Sequence, residues 1–350
     1  MSGDEASIDG LMRDYQGAVP GAGVAVLRGG VPPVLRAYGL ADVENRVAAT
    51  SASNYRLGSM TKQFTAAAIL LLAEQGLLSV DDAVRRWLPT LPDAALGMTL
   101  RHLLTHSSGL ADYEELIAEG TAEPLHDADV LRLLEAHNRR HFGPGSQFRY
   151  SNGAYVLLAL IVERASGQGF ASFLRERIFK PLGMRHTVAL EAGVSAAHRA
   201  FGYSAGARGW TRTDQSLTSA TLGDGGVYSS IEDLAHWDAA LYDERLLSSA
   251  SLRLAFAPAM RSDDPAVQYG FGWRITGACV WHSGETTGFC NVILRYPKHR
   301  FTVIVLTNRS EPQPYATALS IAGLYLPDAE VLRAAHCAAG PDPRARPLPR

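Results

Sequence analysis

Strand signals sit at both ends of this chain and helical signals fill its middle, and that segregation limits the folds open to it. Near the N-terminus, residues 23–28 and 34–39 read as two strands joined through Gly29-Gly30 and two prolines, a hairpin. Strand patterns return at 269–275, 278–282, 289–296 and 302–307. Between them helical spacing dominates, at 100–104, 129–140, 154–165, 170–179 and 231–242, the last opening on Ser230 and Asp233 close to a capping-box pattern. Ile8, Leu11, Met12 and Tyr15 give a short amphipathic helix at the start, and a final helix covers 315–325. The expectation is an α/β chain of the α+β kind: an antiparallel sheet flanked by helices, with a mostly helical lobe inserted. Residues 1–80 and 265–330 form the sheet lobe, 81–264 the helical lobe, and 335–350, closing on the Pro- and Arg-rich 339–350, a flexible tail.

One more helix, the apolar run 63–74 ended by Gly76, opens on Ser59-Met60-Thr61-Lys62. Positions i and i+3 share a helix face, so the Lys62 amine can reach the Ser59 hydroxyl. A serine alcohol is a poor nucleophile until a base takes its proton, and a desolvated lysine can serve. Backbone N–H groups at the helix start favour negative charge developing beside Ser59. Alone, this spacing also fits a helix cap and a solvated lysine. Tyr150-Ser151-Asn152 follows the loop Gly143-Pro144-Gly145-Ser146. Residues i and i+2 of an extended segment point the same way, so Tyr150 and Asn152 can face one cleft. A phenol beside an ammonium loses its proton more readily, which suits Tyr150 to proton shuttling. His282-Ser283-Gly284 ends the strand-like 277–281; Gly284 would let a ligand backbone approach closely, with His282 on the same face.

Ser59-x-x-Lys62, Tyr150-x-Asn152 and His282-x-Gly284, in this order, resemble the serine β-lactamase and penicillin-binding-protein superfamily. Within it the chain is most similar to the branch of class C β-lactamases, DD-carboxypeptidases, D-aminopeptidases and related esterases. Supporting stretches are Leu103-Leu104-Thr105-His106-Ser107-Ser108-Gly109-Leu110 and Gly225-Gly226-Val227-Tyr228-Ser229-Ser230. The resemblance implies a β-lactamase/transpeptidase-like fold with Ser59 as acylated nucleophile, Lys62 as its activator and Tyr150 as general base and acid. It makes Asn152 the amide that orients substrate, and puts His282 and Gly284 on the strand flanking the cleft. Its oxyanion hole is formed by the backbone N–H groups of Ser59 and Glu285; removing one such donor typically costs roughly 3–4 kcal/mol of barrier lowering. Class C β-lactamases usually carry lysine where this chain has His282. A histidine is mostly neutral at pH 7 and offers a substrate carboxylate less fixed charge.

At 350 residues, with 47% apolar and 19% charged residues, the chain can bury a large core. A net charge of −2 without a basic block before the tail points away from nucleic acid. Three cysteines do not make a disulfide framework, although Cys279 and Cys290, symmetric about 284–285, could face each other across a hairpin; buried cysteines are more often simply small apolar residues. His102 and His106, and His137 and His141, are i,i+4 pairs without the glutamate pattern of a zinc protease, so no metal is expected. Gly21-Ala22-Gly23 leads into a strand and lacks a third glycine, which excludes a dinucleotide site, and no other cofactor is implied. Residues 1–9 have no basic n-region or apolar h-region, and no apolar run approaches the ~20 residues of a membrane span. The expectation is a cytoplasmic chain, or a periplasmic or secreted one whose leader was removed.

The expected activity is that of a serine hydrolase forming a covalent acyl-enzyme. Neutral Lys62, or Tyr150 as phenolate, takes the Ser59 proton. The leading substrates are a small carboxylic ester, and an amide or peptide with a D-residue at the scissile bond; a β-lactam ranks third. The contrasting reading is a non-catalytic binding protein on the same fold. Oligomeric state carries no signal in the sequence.

Overall fold

Eight strands form one antiparallel sheet: β1 (Ala22–Arg28), β2 (Val34–Tyr38), β3 (Met260–Arg261), β4 (Gln268–Tyr269), β5 (Arg274–Thr276), β6 (Cys279–Thr286), β7 (Phe289–Tyr296) and β8 (Phe301–Thr307). Their order is β3-β4-β5-β6-β7-β8-β1-β2. The computed structural model describes residues 3–207 and 209–327, so the tail expected at 335–350 lies outside the described residues. The two ends of the chain meet where β1 pairs with β8, Ala22 opposite Thr307.

Strands β7 and β8 are buried along their whole length, because helices cover both faces of the sheet. Alternation divides them. Val292, Leu294, Val303 and Val305 pack with α1 (Gly3–Leu11) and the C-terminal helix Tyr315–Gly323. Ile293, Ile304 and Leu306 face the larger core built on α2 (Lys62–Glu74). That helix is apolar nearly all round and lies inside the molecule. Burying Phe64, Ile69, Leu70, Leu71 and Leu72 contributes roughly 1.5–3 kcal/mol each.

Helices also cross the central stretch: α3 (Asp127–Ala136), α4 (Asn152–Ser166) and α5 (Ile231–Ala240). Short strands interrupt it, contrary to the purely helical signals there. Val227–Ser229 pairs with both Tyr55–Arg56 and Val188–Ala189, and Tyr203–Gly206 pairs with Gly209–Arg212. A helix over Ser249–Ala255, capped by Ser248, carries no apolar period clear enough to read.

Three boundaries move for identifiable reasons. The strand expected over 269–275 is two strands, because Gly270-Phe271-Gly272 turns the chain at Gly272 (φ +76°) against the Lys62 carbonyl. The turn expected at Gly284-Glu285 lies further on: β6 runs through both, pairing Gly284 with Asn291 and Glu285 with Cys290. Cys279 and Cys290 therefore sit at opposite ends of the hairpin, both buried. Helix α3 stops at Ala136, so His137 and His141 do not share a helical face. Among the described residues no helix is long and apolar enough to cross a membrane.

Candidate active site

Ser59 lies in a 3-10 turn, Gly58–Thr61, that runs directly into α2. The chain before it is pinned from several sides. Leu57 N–H donates to Val227 O at 2.8 Å, and the Asn291 amide on β7 donates to Arg56 O at 2.9 Å. Thr61 Oγ1 accepts from Val227 N–H at 3.1 Å. Gly58 has φ +55°, a conformation that disfavours any side chain. Strand β6 passes against this turn so closely that a Cβ on Gly284 would lie 1.8 Å from Leu57 O, and one on Gly58 would lie 3.1 Å from Glu285 N. This contact brings the Gly284-Glu285 backbone to the Ser59 turn.

Lys62, the first residue of α2, is 0% exposed. Its Nζ donates to Ser59 Oγ at 3.1 Å, Asn152 Oδ1 at 2.8 Å and the Asp224 carbonyl at 2.9 Å. An ammonium has three donors, and here three acceptors surround it. The Asp224 carbonyl is in place because Thr65 Oγ1, one turn along α2, donates to Gly223 O at 2.6 Å. Gly223 in turn packs on the Tyr155 carbonyl of α4, where a Cβ would stand 2.4 Å away.

Asn152 opens α4, with Ser151 as its cap: Ser151 Oγ accepts from Ala154 N–H at 3.1 Å. The buried Asp112 carboxylate also caps this end, accepting from Asn152 N–H at 2.6 Å and Gly153 N–H at 3.3 Å. Such capping places a negative charge at the positive end of the helix. The second face of the Asn152 amide donates to Glu114 Oε1 at 3.0 Å.

The Tyr150 ring stands beside Lys62, with Nζ 4.9 Å from its centroid. His106 stacks on it at 4.2 Å and 32°, and His106 Nδ1 accepts from Ser151 N–H at 3.1 Å. His106 adopts φ +55° to do this and is completely buried. His102 instead turns its Nδ1 to Thr99 N–H at the start of its own helix, so the His102/His106 pair does not converge. Among the described residues no group of three or more His, Cys, Asp or Glu is placed to hold a metal ion.

His282, expected to be mostly neutral on the strand flanking the cleft, lies on β6 and is enclosed. It is 1% exposed; Nδ1 donates to Ser283 O at 2.6 Å, and Nε2 accepts from Tyr269 Oη at 2.9 Å. Burial, with Arg274 next in weight, holds its pKa well below the usual histidine value, so the ring is neutral. The fixed positive charge nearby belongs to Arg274 on β5, whose guanidinium carbon is 5.5 Å from the centroids of both Tyr150 and Trp281. Sequence reading missed Arg274, His106, Asp112 and Glu114. Asp112 and Glu114 follow soon after the stretch Leu103–Leu110, the only cue available. A separate groove of about 300 Å³ on the helical side, lined by Ile117, Leu125 and Leu133 among others, holds none of these residues.

The chain as a whole is similar to several known proteins. The family described as Beta-lactamase matches residues 6–345. Penicillin-binding protein 4* of Bacillus subtilis (strain 168) is 35% identical over 302 residues, 81% of this chain and 66% of that protein. Protein flp of Staphylococcus aureus (strain MW2) is 28% identical over 306 residues, 84% of this chain and 60% of that one. The chain thus spans less than two thirds of the length of these curated relatives. Among solved structures, the penicillin binding protein from Bacillus halodurans superimposes with a TM-score of 0.81 at 27% identity, covering 91% of this chain and 100% of that one. The D-amino acid amidase from Ochrobactrum anthropi SV3, complexed with L-phenylalanine amide, gives 0.77 at 26% identity, with 88% and 92% covered. An octameric penicillin-binding protein homologue from Pyrococcus abyssi gives 0.80 at 28%, with 92% and 76% covered. By sequence, fold and the order of its three motifs, this chain belongs to the beta-lactamase family.

Proposed function

We propose that this chain is a serine hydrolase that cleaves an ester or amide bond through an acyl-enzyme on Ser59. The observation that carries the reading is the completely buried Lys62 ammonium, held on Asn152 and Asp224 with its third hydrogen bond on Ser59 Oγ. A solvated lysine would not be held this way. With all three N–H bonds donated, Lys62 stabilises the Ser59 alkoxide as it forms, and the proton goes to Tyr150 as phenolate. Ser59 Oγ then bonds to the carbonyl carbon. The oxyanion sits between the backbone N–H groups of Ser59 and Glu285, near one another through the Gly58–Glu285 contact. As the bond to the leaving group breaks, Tyr150 returns its proton to that group. Water, deprotonated by the same tyrosine, releases the acid and frees Ser59.

The likeness to a D-amino acid amidase and to penicillin-binding proteins supports an amide as natural target. The neutral, enclosed His282 ranks β-lactam hydrolysis below ester and amide cleavage. The test is intact mass with a p-nitrophenyl ester, a D-alanyl-D-alanine peptide and nitrocefin in parallel. One acyl mass confined to the peptide bearing Ser59, lost in Ser59→Ala, is the expected result. Equal turnover by Ser59→Ala would overturn it, and a pure binding protein would turn over none of the three.

A further inference from the structure

Asn291 places a polar amide in the interior of β7, between Phe289 and Ile293 on the face turned to the α2 core, and it is completely buried. An amide in such a place is costly unless its atoms find partners, and here both ends do. Nδ2 donates to Arg56 O at 2.9 Å and, over a longer 3.4 Å, to Gly284 O; Oδ1 accepts from Thr307 N–H at 3.1 Å. The group cannot be turned end for end, since its oxygen would then face two carbonyls and its nitrogen an N–H. One side chain therefore ties together three segments remote in sequence: the chain entering the Ser59 turn, β6 and the end of β8.

Two of those segments carry the oxyanion donors of the proposed reaction. Arg56 lies three residues before Ser59, and Gly284 immediately before Glu285. Gly284 and Asn291 stand directly opposite each other across the β6–β7 ladder, so they point to the same face. A Cβ on Gly284 would lie 1.8 Å from Leu57 O. The bare backbone there lets the turn lie against the strand, with Arg56 O within reach of the Asn291 amide. The Arg56 side chain is itself fixed, Nη2 donating to Ser219 O at 3.0 Å and Nε to Gly225 O at 3.3 Å. An apolar residue at 291 would leave the buried Arg56 carbonyl and Thr307 N–H without this partner.

We infer that Asn291 is a positioning residue for the oxyanion hole, its amide setting the separation of the Ser59 and Glu285 N–H groups by holding Arg56 O and Gly284 O on one nitrogen. This deepens the acyl-enzyme reading and rests on it. Such donors need to stand about 2.7–3.1 Å from the oxyanion, so slack between the two segments weakens the transition state more than the bound ester.

The experiment compares p-nitrophenyl acetate with O-(p-nitrophenyl) thionoacetate, in which sulfur replaces the carbonyl oxygen. Sulfur is larger and a weak acceptor, so a well-set hole favours the oxygen ester, and the ratio of the two kcat/KM values reads the hole. Asn291→Leu, of the same branching but without donor or acceptor, should lower kcat for the oxygen ester about tenfold or more and shrink the ratio about fivefold or more, with KM within threefold of the parent. Leu294→Ala, buried on the opposite face of the same strand, is the control for lost stability; it should lower Tm and leave the ratio within twofold. If Asn291→Leu does not fold, Asn291→Ser, polar but too short to span both carbonyls, carries the same comparison. A ratio within twofold of the parent in the folded Asn291 variant, or an equal drop in Leu294→Ala, would overturn the inference. Acylation of the Ser59 peptide, read by mass and lost in Ser59→Ala, tests the nucleophile separately. Ser59 acylated in the parent with an unmoved ratio removes only the role of Asn291.

Discussion

Gly284→Ala is the sharpest test of how the sheet builds this site. The added Cβ would start 1.8 Å from Leu57 O, a backbone atom with no rotamer to move. Reaching an ordinary contact of 3.4 Å requires β6 and the Leu57–Ser59 turn to part by about 1.6 Å. Neither gives easily. Leu57 N–H is bound to Val227 O, and Arg56 O to the Asn291 amide of β7. Overpacking of this kind costs about 1–3 kcal/mol of stability. The parting also moves Glu285 N–H away from Ser59, and a misplacement of 1 Å can cost on the order of 100-fold in rate. The expected result is a folded protein with kcat/KM for p-nitrophenyl butyrate reduced about 100-fold or more and a modestly lower Tm. Gly10→Ala on α1, where an added Cβ meets nothing within 4 Å, is the control and should keep both values. A Gly284→Ala protein with kcat/KM within threefold of the parent would refute the claim that this contact sets the active geometry.

Lys62→Met should leave a folded protein whose acylation by a fluorophosphonate is slower by a factor on the order of 10²–10⁴, read by mass on the Ser59 peptide. Asp238→Ala strands the Arg295 guanidinium, 0% exposed and 2.6 Å from Asp238, among Tyr242, Phe256 and Trp273; urea unfolding should report a loss of about 3–5 kcal/mol. His282 has a depressed pKa in the folded state, so the unfolded chain binds its proton first as pH falls below about 6.5. Stability from this residue is complete above that pH and drains below it; the difference in unfolding free energy between His282→Gln and the parent should change with pH there. Glu114, its pKa raised to about 7 by burial and the neighbouring Asp112 charge, changes charge beside the Asn152 amide; kcat/KM should change with pH there, and Glu114→Gln should abolish that limb, an unchanged profile assigning it elsewhere.

Much of the fold was legible because its elements are driven by local pattern. The helix over Asn152–Ser166 has a capping serine, a continuous apolar face and Gly167 in a left-handed conformation after it. The β7–β8 pair is two buried apolar runs around a tight turn. What the pattern could not supply was anything fixed by a distant neighbour. Gly284 reads locally as a turn residue, and its real requirement is the Leu57 carbonyl, more than two hundred residues away in sequence. His282 reads as a strand histidine beside the cleft, and only the folded chain supplies Tyr269 and the Ser283 carbonyl to hold both its nitrogens.

The same contrast separates the two layers of the site. Ser59, Lys62, Tyr150 and Asn152 occur in short motifs because one turn of helix or two residues of extended chain suffice to align each pair. The residues that tune them come singly, with no spacing to betray them: His106 beneath Tyr150, Arg274 beyond it, Asp112 at the helix end and Glu114 on Asn152. Two of the backbone irregularities coincide with this layer, at Gly58 and His106, each with φ +55°. A histidine in that conformation is uncommon and persists only where surrounding contacts over-determine it, as the Ser151 N–H and the Tyr150 ring do here. Chemistry common to the family is thus carried by local motifs, whereas the charge a substrate meets is set by isolated residues that only the folded chain assembles. Substrate preference in this chain is therefore to be sought at Glu114 and Arg274 rather than in the motifs that identify it.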